Sequence, residues 1–150
     1  MSSNYFQGTK DHPYHLSVGA VVVNNKSEVC CHYFDKPAGP GFKYGTFDKF
    51  YLLMRETIEE HETIEECLAR GLQEEFGMKA TLKTYLGSLD SHWSTSSGGV
   101  KIEKTTLYFL CDPVSFDFGK RRENDPERSS IIKWVNIFEL ITKMKEQGER

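Results

Sequence analysis

The sequence predicts a mixed α/β fold, in which a mixed β-sheet is flanked by helices. Six segments have the apolar and β-branched composition of strands, and two have the apolar periodicity of helices. Their order is β-β-β-α-β-β-β-α, which fits a sheet with a helix on each face. No internal repeat interrupts this order, so we expect a single domain over residues 14–147.

The composition is typical of a globular domain, since 38% of the 150 residues are hydrophobic and 27% are charged. A formal net charge of −3 does not suit a general nucleic-acid binder, which is usually basic. No apolar run approaches the ~18 residues of a membrane span, and the polar N-terminus has no secretory signal. We therefore expect a cytoplasmic protein with no membrane association. Residues 1–13 are predicted to form a flexible N-terminal lead, and residues 148–150 a C-terminal tail. The sequence does not determine the oligomeric state, and a homodimer is one possibility.

Three strands are predicted before the first helix. Residues 14–24 are rich in β-branched and apolar side chains and end at Asn24-Asn25, which are typical turn residues. Residues 28–34 form the second strand, and we expect it to pair with the first in a hairpin. Residues 50–54 form a short buried strand that leads towards the helix.

The first predicted helix has a clear signal at each end. Thr63 suits the N-cap, and Glu66 three residues later completes a capping box. Gly77 suits the left-handed residue just after the last turn. No proline interrupts the residues between these ends, and most of them favour helix.

One carboxylate of this helix falls on its apolar side. At about 100° per residue, Glu75 lies near the middle of an apolar arc, with Glu74 at the edge of the arc and Arg70 beyond it. A carboxylate in an apolar stripe is costly unless it is paired or binds a metal. Position alone therefore favours a functional role for Glu75, whereas a solvated surface explains Glu66. The apolar arc consists of Ile64, Cys67, Leu68, Leu72 and Phe76.

Three strands and a second helix are predicted after the first helix. Apolar side chains occupy both faces of the middle strand, which is typical of a strand covered on each side. Asn136 suits the N-cap of the second helix, and the apolar stripe that follows has helical spacing. The strands are predicted over residues 79–90, 101–112 and 131–135, and the stripe consists of Ile137, Leu140, Ile141 and Met144.

Two loops between these elements carry candidate substrate-binding residues. The polar loop predicted over residues 91–99 holds Trp93, whose ring suits stacking on a base. The charged loop over residues 119–129 holds Arg121 and Arg122, which suit binding of a polyphosphate. Most charged runs of this kind are simply solvated, so the alternative of a bare surface loop stays open.

The spacing of residues 62–78 resembles the signature of the Nudix hydrolases. As in that signature, seven residues separate Glu62 from Arg70, and a glutamate pair, a glycine and an apolar residue follow in register. The long spacing makes the match specific. The residues that match after Arg70 are Leu72, Glu74, Glu75, Gly77 and Met78.

The resemblance implies a Nudix-like α/β/α sandwich and a Mg²⁺- or Mn²⁺-dependent hydrolase. Such an enzyme cleaves a diphosphate bond in a nucleoside diphosphate linked to another group. The resemblance assigns Glu74 and Glu75 as metal ligands, and carboxylate oxygens are the donors that these cations prefer. It assigns Arg70 and Glu62 as the residues that organise the ligands. The implied partner is a small nucleotide or diphosphate substrate.

Two positions depart from the signature. Glu56 stands where the family has its first glycine, and Gly71 stands where it has a metal-binding glutamate. His61 replaces a second glycine that is common just before the first glutamate. The loss of this glutamate has three possible consequences. Another carboxylate compensates for it, activity persists at a low rate, or the domain is an inactive module that binds a nucleotide or a protein. The candidate compensating carboxylates are Glu59, Glu60, Glu103 and Glu123. Restoring glutamate at position 71 is expected to raise the rate.

Overall fold

The structure is a computed structural model that describes residues 13–36, 49–94, 99–123 and 129–148. Of the predicted lead and tail, only Pro13 and Gly148 lie within the described residues. The strands are β1 (Tyr14–Val22), β2 (Glu28–Phe34), β3 (Phe50–Leu52), β4 (Met54–Thr57), β5 (Met78–Ser94), β6 (Lys101–Phe116) and β7 (Ile131–Asn136). The helices are α1 (Ile64–Phe76) and α2 (Ile137–Gly148), and a short 3-10 turn covers Phe118–Lys120.

The strands of the described chain form two sheets. The larger sheet has the order β4-β1-β6-β5 and is mixed, because β1 runs parallel to β6 whereas the β1–β4 and β5–β6 pairs are antiparallel. The smaller sheet has the order β3-β2-β7 and is antiparallel throughout. The predicted mixed α/β architecture is therefore confirmed, and it includes a second sheet that the sequence did not reveal.

The predicted hairpin between the first two strands is wrong. The chain does turn there, and the Asn24 N–H donates to the Glu28 carbonyl at 3.0 Å. Beyond this turn, however, the described pairing consists of one isolated bridge between Val23 and Val29 and does not form a ladder between β1 and β2. Both edges of β1 are already used by β4 and β6, so β2 pairs in the other sheet. The predicted strand over residues 50–54 is divided in the same way, because β3 and β4 join different sheets.

Strands β5 and β6 extend further than the sequence predicted. They pair from Met78 opposite Phe116 to Ser94 opposite Lys101, so residues 91–94 belong to β5 and not to a loop. Trp93 was predicted on a loop, but its backbone lies within β5. The polar residues stay in the ladder because backbone hydrogen bonds form regardless of the side chain.

Helix α1 covers the larger sheet, and α2 covers the smaller one. The apolar arc of α1 is buried as predicted, except that Ile64 at its start is 39% exposed. Neither helix of the described chain is long and apolar enough to cross a bilayer. The main core cluster consists of Val18, Ala20, Val22, Cys30, Met54, Ile58, Cys67, Leu68, Leu72, Phe76, Met78 and Cys111, and the smaller one of Val29, Cys31, Val135 and Leu140.

Candidate active site

The ends of α1 determine where the side chains of the candidate site point. Thr63 Oγ1 accepts a hydrogen bond from the Glu66 N–H, and Glu66 Oε2 accepts one from the Thr63 N–H, both at 3.1 Å. Gly77 takes the left-handed conformation, with a φ of 61°. The predicted capping box and C-terminal glycine are therefore confirmed. Together they fix the limits of the helix and the rotation of its side chains about the axis.

Arg70 is the centre of a charged network beside α1. Its Nε donates to Glu62 Oε2 at 2.7 Å and its Nη2 donates to Glu62 Oε1 at 3.0 Å, which makes a bidentate pair. Nη2 also donates to the Thr57 carbonyl at 2.9 Å. The hydrogen bonds from Arg70 hold the pKa of Glu62 below its ordinary value, and those to Glu62 raise the pKa of Arg70. The pair is charged at neutral pH and ties the preceding loop to the helix.

Three further carboxylates surround Nη1 of Arg70. Glu56 Oε1 lies at 3.3 Å, Glu74 Oε2 at 3.5 Å and Glu59 Oε1 at 3.7 Å. The side chains of Glu56 and Glu74 are 22% and 20% exposed, whereas that of Glu59 is 65% exposed. One guanidinium thus gathers carboxylates from β4, the next loop and α1. We call Arg70, Glu56, Glu59, Glu62 and Glu74 the Arg70 cluster.

Arg122 approaches this cluster from the segment after the 3-10 turn. Its Nη1 donates to Glu74 Oε1 at 3.1 Å, and its backbone N–H donates to the Glu74 carbonyl at 2.7 Å. The Arg122 side chain is 51% exposed. This candidate polyphosphate-binding residue therefore lies beside Glu74, the candidate metal ligand, at the surface.

Glu75 is buried, as its helical position predicted, with 2% of its side chain exposed. Its Oε1 lies 2.9 Å from Nε2 of His32, a buried residue of β2. Nδ1 of His32 lies 2.7 Å from Ser130 Oγ, which accepts a hydrogen bond from Arg121 Nη1 at 3.1 Å. We call Glu75, His32, Ser130 and Arg121 the inner chain.

The inner chain forms one continuous path of hydrogen bonds. Arg121 donates to the Ser130 hydroxyl oxygen, and the Ser130 hydroxyl can in turn donate to Nδ1 of His32. In the His32 tautomer that carries its proton on Nε2, this nitrogen donates to Glu75 and completes the path. Ser130, His32 and Glu75 have the composition of a catalytic triad, but only 3%, 0% and 2% of their surfaces are exposed. No substrate reaches the hydroxyl, so the inner chain is a structural link.

Arg121 and Trp93 are the other candidate substrate-binding residues. Arg121 donates through Nη2 to the Ser130 carbonyl at 2.6 Å, so its guanidinium anchors the loop that carries it. The backbone of Trp93 lies opposite Ile102, within the β5–β6 ladder. Both residues stay predictions as substrate contacts.

Sequence analysis did not identify His32 or Ser130. The one signal that pointed towards them is the burial of Glu75, because a buried carboxylate needs a hydrogen-bonding partner. His32 is 43 positions away from Glu75 and carries no motif, so spacing alone gives no means of selecting it.

A model of the Nudix domain matches residues 13–150 of the chain. The chain belongs to the Nudix family. The signature described above thus corresponds to residues 56–78, and both the Arg70 cluster and the inner chain include residues of its helix. No curated protein matches the sequence.

Several solved structures share the fold of this chain. A NUDIX hydrolase from Nitrosomonas europaea has a TM-score of 0.58 and 20% identity, over 87% of this chain and 78% of that protein. The MutT protein from Methanosarcina mazei Go1 has a TM-score of 0.57 and 16% identity, over 89% and 85%. The E. coli ORF135 protein has a TM-score of 0.54 and 15% identity, over 86% and 78%. Identities this low support the common fold alone.

The two departures from the Nudix box meet in space. A Cβ added to Gly71 would lie 2.8 Å from Glu56 Cβ, 3.3 Å from Glu56 Cγ and 2.6 Å from Met54 Cε. Because a Cβ atom essentially never lies within 3.0 Å of an atom of a non-adjacent residue, α1 approaches β4 to this distance only without a side chain at position 71. Glu56 itself lies in β4 opposite Val18, in extended backbone that any residue adopts. The left-handed residue of the loop is His61, with a φ of 65°.

The carboxylates that the sequence offered as replacements have different surroundings. Glu59 belongs to the Arg70 cluster, whereas Glu60 and Glu103 lie 3.5 Å and 3.9 Å from neighbouring histidines. Glu123 is exposed. Glu56 was not among the candidates, because it was considered only for the glycine that it replaces. The signal available in the sequence was the reciprocal pattern of glycine to glutamate at one position and glutamate to glycine at the other.

The donor chemistry of the cluster fits a divalent cation. Mg²⁺ and Mn²⁺ prefer carboxylate oxygens, and Glu56 and Glu74 offer partly exposed oxygens within 3.5 Å of one nitrogen of Arg70. Among the described residues, no three histidine, cysteine, aspartate or glutamate side chains are grouped as a ready-made metal site. The carboxylates are paired with arginine here, so a cation would bind by drawing oxygens from those ion pairs.

Proposed function

We propose that this Nudix domain hydrolyses a diphosphate bond in a nucleoside diphosphate linked to a second group, with Mg²⁺ or Mn²⁺ as its cofactor. One observation carries the proposal: Glu62 and Glu74 of the Nudix box both contact Arg70, at 2.7 Å and 3.5 Å from its nitrogens. Family membership supplies the reaction class, and these three side chains of the box form one connected network.

Each box residue has a distinct task in this proposal. Glu74 holds the cation through a carboxylate that is 20% exposed. Arg70 orients that carboxylate, and Glu62 fixes Arg70 through the bidentate pair and also accepts a hydrogen bond from the Glu59 N–H at 3.1 Å. When bound, the cation supplies polarisation of the diphosphate and a more acidic attacking water.

Glu75 is assigned as a second metal ligand by its place in the box, and that assignment stays a prediction. Its Oε1 is 2.9 Å from His32 Nε2 and its side chain is 2% exposed. Reaching a cation therefore requires its carboxylate to turn away from His32. The geometry supports a first task for Glu75 in anchoring α1, before any task in metal binding.

Substrate binding is proposed for the surface beside Glu74. Arg122 is half exposed and adjoins Glu74, so it is suited to meet a phosphate of a substrate bound there. Trp93 and Arg121 stay predictions as substrate contacts. The expected partner is a small nucleotide or diphosphate compound rather than a nucleic acid or a membrane.

A catalytically inactive binding module is the second candidate. The observation that favours it is Gly71, which leaves the box without the carboxylate that the family uses there. The burial of Glu75 further reduces the number of exposed box carboxylates. This candidate predicts nucleotide binding without turnover.

A hydrolysis screen with Mg²⁺ and with Mn²⁺ tests the proposal. It covers nucleoside triphosphates, ADP-ribose, NADH, dinucleoside polyphosphates and nucleotide sugars. We expect metal-dependent release of a nucleoside monophosphate or a phosphate, reduced about 10–100-fold by Glu74→Gln. Glu65→Gln is the matched control, because Glu65 is an exposed glutamate in the first turn of the same helix. No turnover of any compound by the folded protein favours the binding module, and ligand-induced shifts in melting temperature then identify what it binds.

A further inference from the structure

We propose that Glu56 supplies, from strand β4, the carboxylate that the Nudix box lacks at Gly71. The metal site is then rebuilt across two elements rather than carried by the helix alone. The inference rests on the proposed function, since it assigns a ligand to the same cation. Glu56 occupies the position at which the Nudix signature has its first glycine.

The first argument is steric exclusion between the two positions. The Cβ of a side chain at position 71 would lie 2.8 Å from the Cβ of Glu56. Carbon atoms that are not bonded do not approach so closely, and the Glu56 Cβ is fixed to the backbone of β4. Side chains at both positions therefore do not fit at this helix–strand separation. One carboxylate side chain fills the space, and in this chain it comes from position 56.

The second argument is the direction of the Glu56 side chain. Its Cγ lies 3.3 Å from the place of the missing Gly71 Cβ, so the first two side-chain carbons of Glu56 border the space that a residue at position 71 would occupy. Its Oε1 then reaches 3.3 Å from Arg70 Nη1, the atom that also lies 3.5 Å from Glu74 Oε2. The carboxylates of Glu56 and of Glu74, the proposed ligand, therefore contact the same nitrogen of Arg70.

The third argument is the contrast with Glu59, which lies near the same guanidinium. Glu59 Oε1 is 3.7 Å from Arg70 Nη1, but its side chain is 65% exposed against 22% for Glu56. No Glu59 atom is among the three nearest to the place of the missing Gly71 side chain. The two residues have the same charge and a common partner, and they differ in the feature that the inference uses. Glu59 is therefore the matched control.

The expectation for a single Gly71→Glu substitution changes accordingly. With Glu56 in place, the added side chain overlaps β4, so we now expect the substitution to lower the melting temperature instead of raising the rate. The reciprocal double substitution, Glu56→Gly with Gly71→Glu, removes the overlap and returns the box to the family pattern. It is expected to retain metal binding that Glu56→Gly alone loses.

Binding of Mn²⁺ to the full chain without substrate tests the inference, measured by titration calorimetry and by electron paramagnetic resonance of free Mn²⁺. We expect Glu56→Gln to weaken Mn²⁺ binding at least about tenfold and Glu59→Gln to change it less than about twofold. Glu74→Gln is measured in parallel, and circular dichroism establishes that each variant is folded. Glu56→Gln keeps the size of the side chain, so the test does not depend on the double variant being stable.

The outcomes separate the inference from the proposed function. If Glu74→Gln weakens Mn²⁺ binding but Glu56→Gln does not, the inference is overturned and the proposed metal site stands. Equal losses in Glu56→Gln and Glu59→Gln indicate a general effect of negative charge and also overturn it. If the wild-type protein binds no Mn²⁺, or if Glu74→Gln leaves binding unchanged, the proposed site fails and the inference fails with it. Recovery of binding in the double variant supports the exchange.

Discussion

Glu74 and Glu75 are adjacent residues of one helix, yet they belong to different regions of the molecule. Glu74 lies in the partly exposed Arg70 cluster, where two arginines contact its carboxylate. Glu75 lies in the inner chain, where the buried His32 contacts its carboxylate. Successive side chains of an α-helix differ in direction by about 100°, so Glu74 points towards the surface whereas Glu75 points into the core. The same side chain thus serves as a candidate ligand at one position and as an internal anchor at the next.

The two networks also tie the helix to different sheets. The Arg70 cluster joins α1 to β4 of the larger sheet through Glu56, and the inner chain joins it to β2 of the smaller sheet through His32. Ion pairs at a surface are screened and contribute little individually, whereas a buried pair is costly to break. The comparison teaches that the outer network is suited to exchange partners, and the inner network to hold the helix still.

The largest effect is expected from Glu75→Ala. Removing the carboxylate leaves His32 buried without this partner, which should lower the free energy of unfolding by about 3 kcal/mol. Urea denaturation followed by circular dichroism measures the loss. The matched control is Glu74→Ala on the same helix turn, which should cost about 1 kcal/mol or less. Equal losses in the two variants would contradict the distinction between the two networks.

A smaller loss is expected from Arg70→Lys. Lysine keeps the positive charge but not the planar fork that binds both oxygens of Glu62 and the Thr57 carbonyl. We expect the free energy of unfolding to fall by about 1.5–3 kcal/mol, as for other hydrogen bonds to charged groups. Thermal denaturation measures it, with Lys83→Arg as an exposed control on β5. An unchanged stability would show that charge alone holds the cluster.

The Arg70–Glu62 pair should also make stability depend on pH. Hydrogen bonds from Arg70 lower the pKa of Glu62 below its ordinary value of 4.5 in the folded protein. A group whose folded pKa is lowered stabilises fully above its unfolded pKa, and the contribution is lost as the pH falls through the folded value. The stability difference between wild type and Glu62→Gln should therefore be largest at neutral pH and shrink as the pH is lowered below 4.5.

Denaturation midpoints measured at several acidic pH values check this expectation. A second series on Glu66→Gln provides the comparison with a nearby glutamate in the first turn of α1, whose described hydrogen bonds are to Thr63. A difference that is independent of pH would contradict the assignment of the shift to Arg70.

The smallest effect is expected from Arg122→Ala. The pair with Glu74 is half exposed on the arginine side, so its loss should change the free energy of unfolding by about 0–1 kcal/mol. If Arg122 contacts substrate as proposed, the same variant raises KM for the substrate found in the hydrolysis screen. A stability loss as large as that of Glu75→Ala would place Arg122 among the structural anchors.

Local spacing carried most of what the sequence predicted well. The capping box of Thr63 and Glu66, the left-handed Gly77 and the burial of Glu75 depend on residues within a few turns of one helix. The Nudix box is a pattern of the same local kind, and the family match confirms it. The wrong predictions concerned which strands pair with one another. The predicted hairpin failed because β1 used both of its edges elsewhere, which no local pattern reports.

The sequence by itself determined most of the residues that α1 buries, because helical rotation is fixed by position along the chain. Only the tertiary structure decided what each of them meets. His32 reaches Glu75 across 43 positions, and Glu56 fills the space beside Gly71 from a neighbouring strand. These contacts depend on how the sheets and the helix pack, and packing depends on the whole chain at once. The sequence showed that a carboxylate was missing from the box, and the fold showed that Glu56 lies beside the position where it is missing.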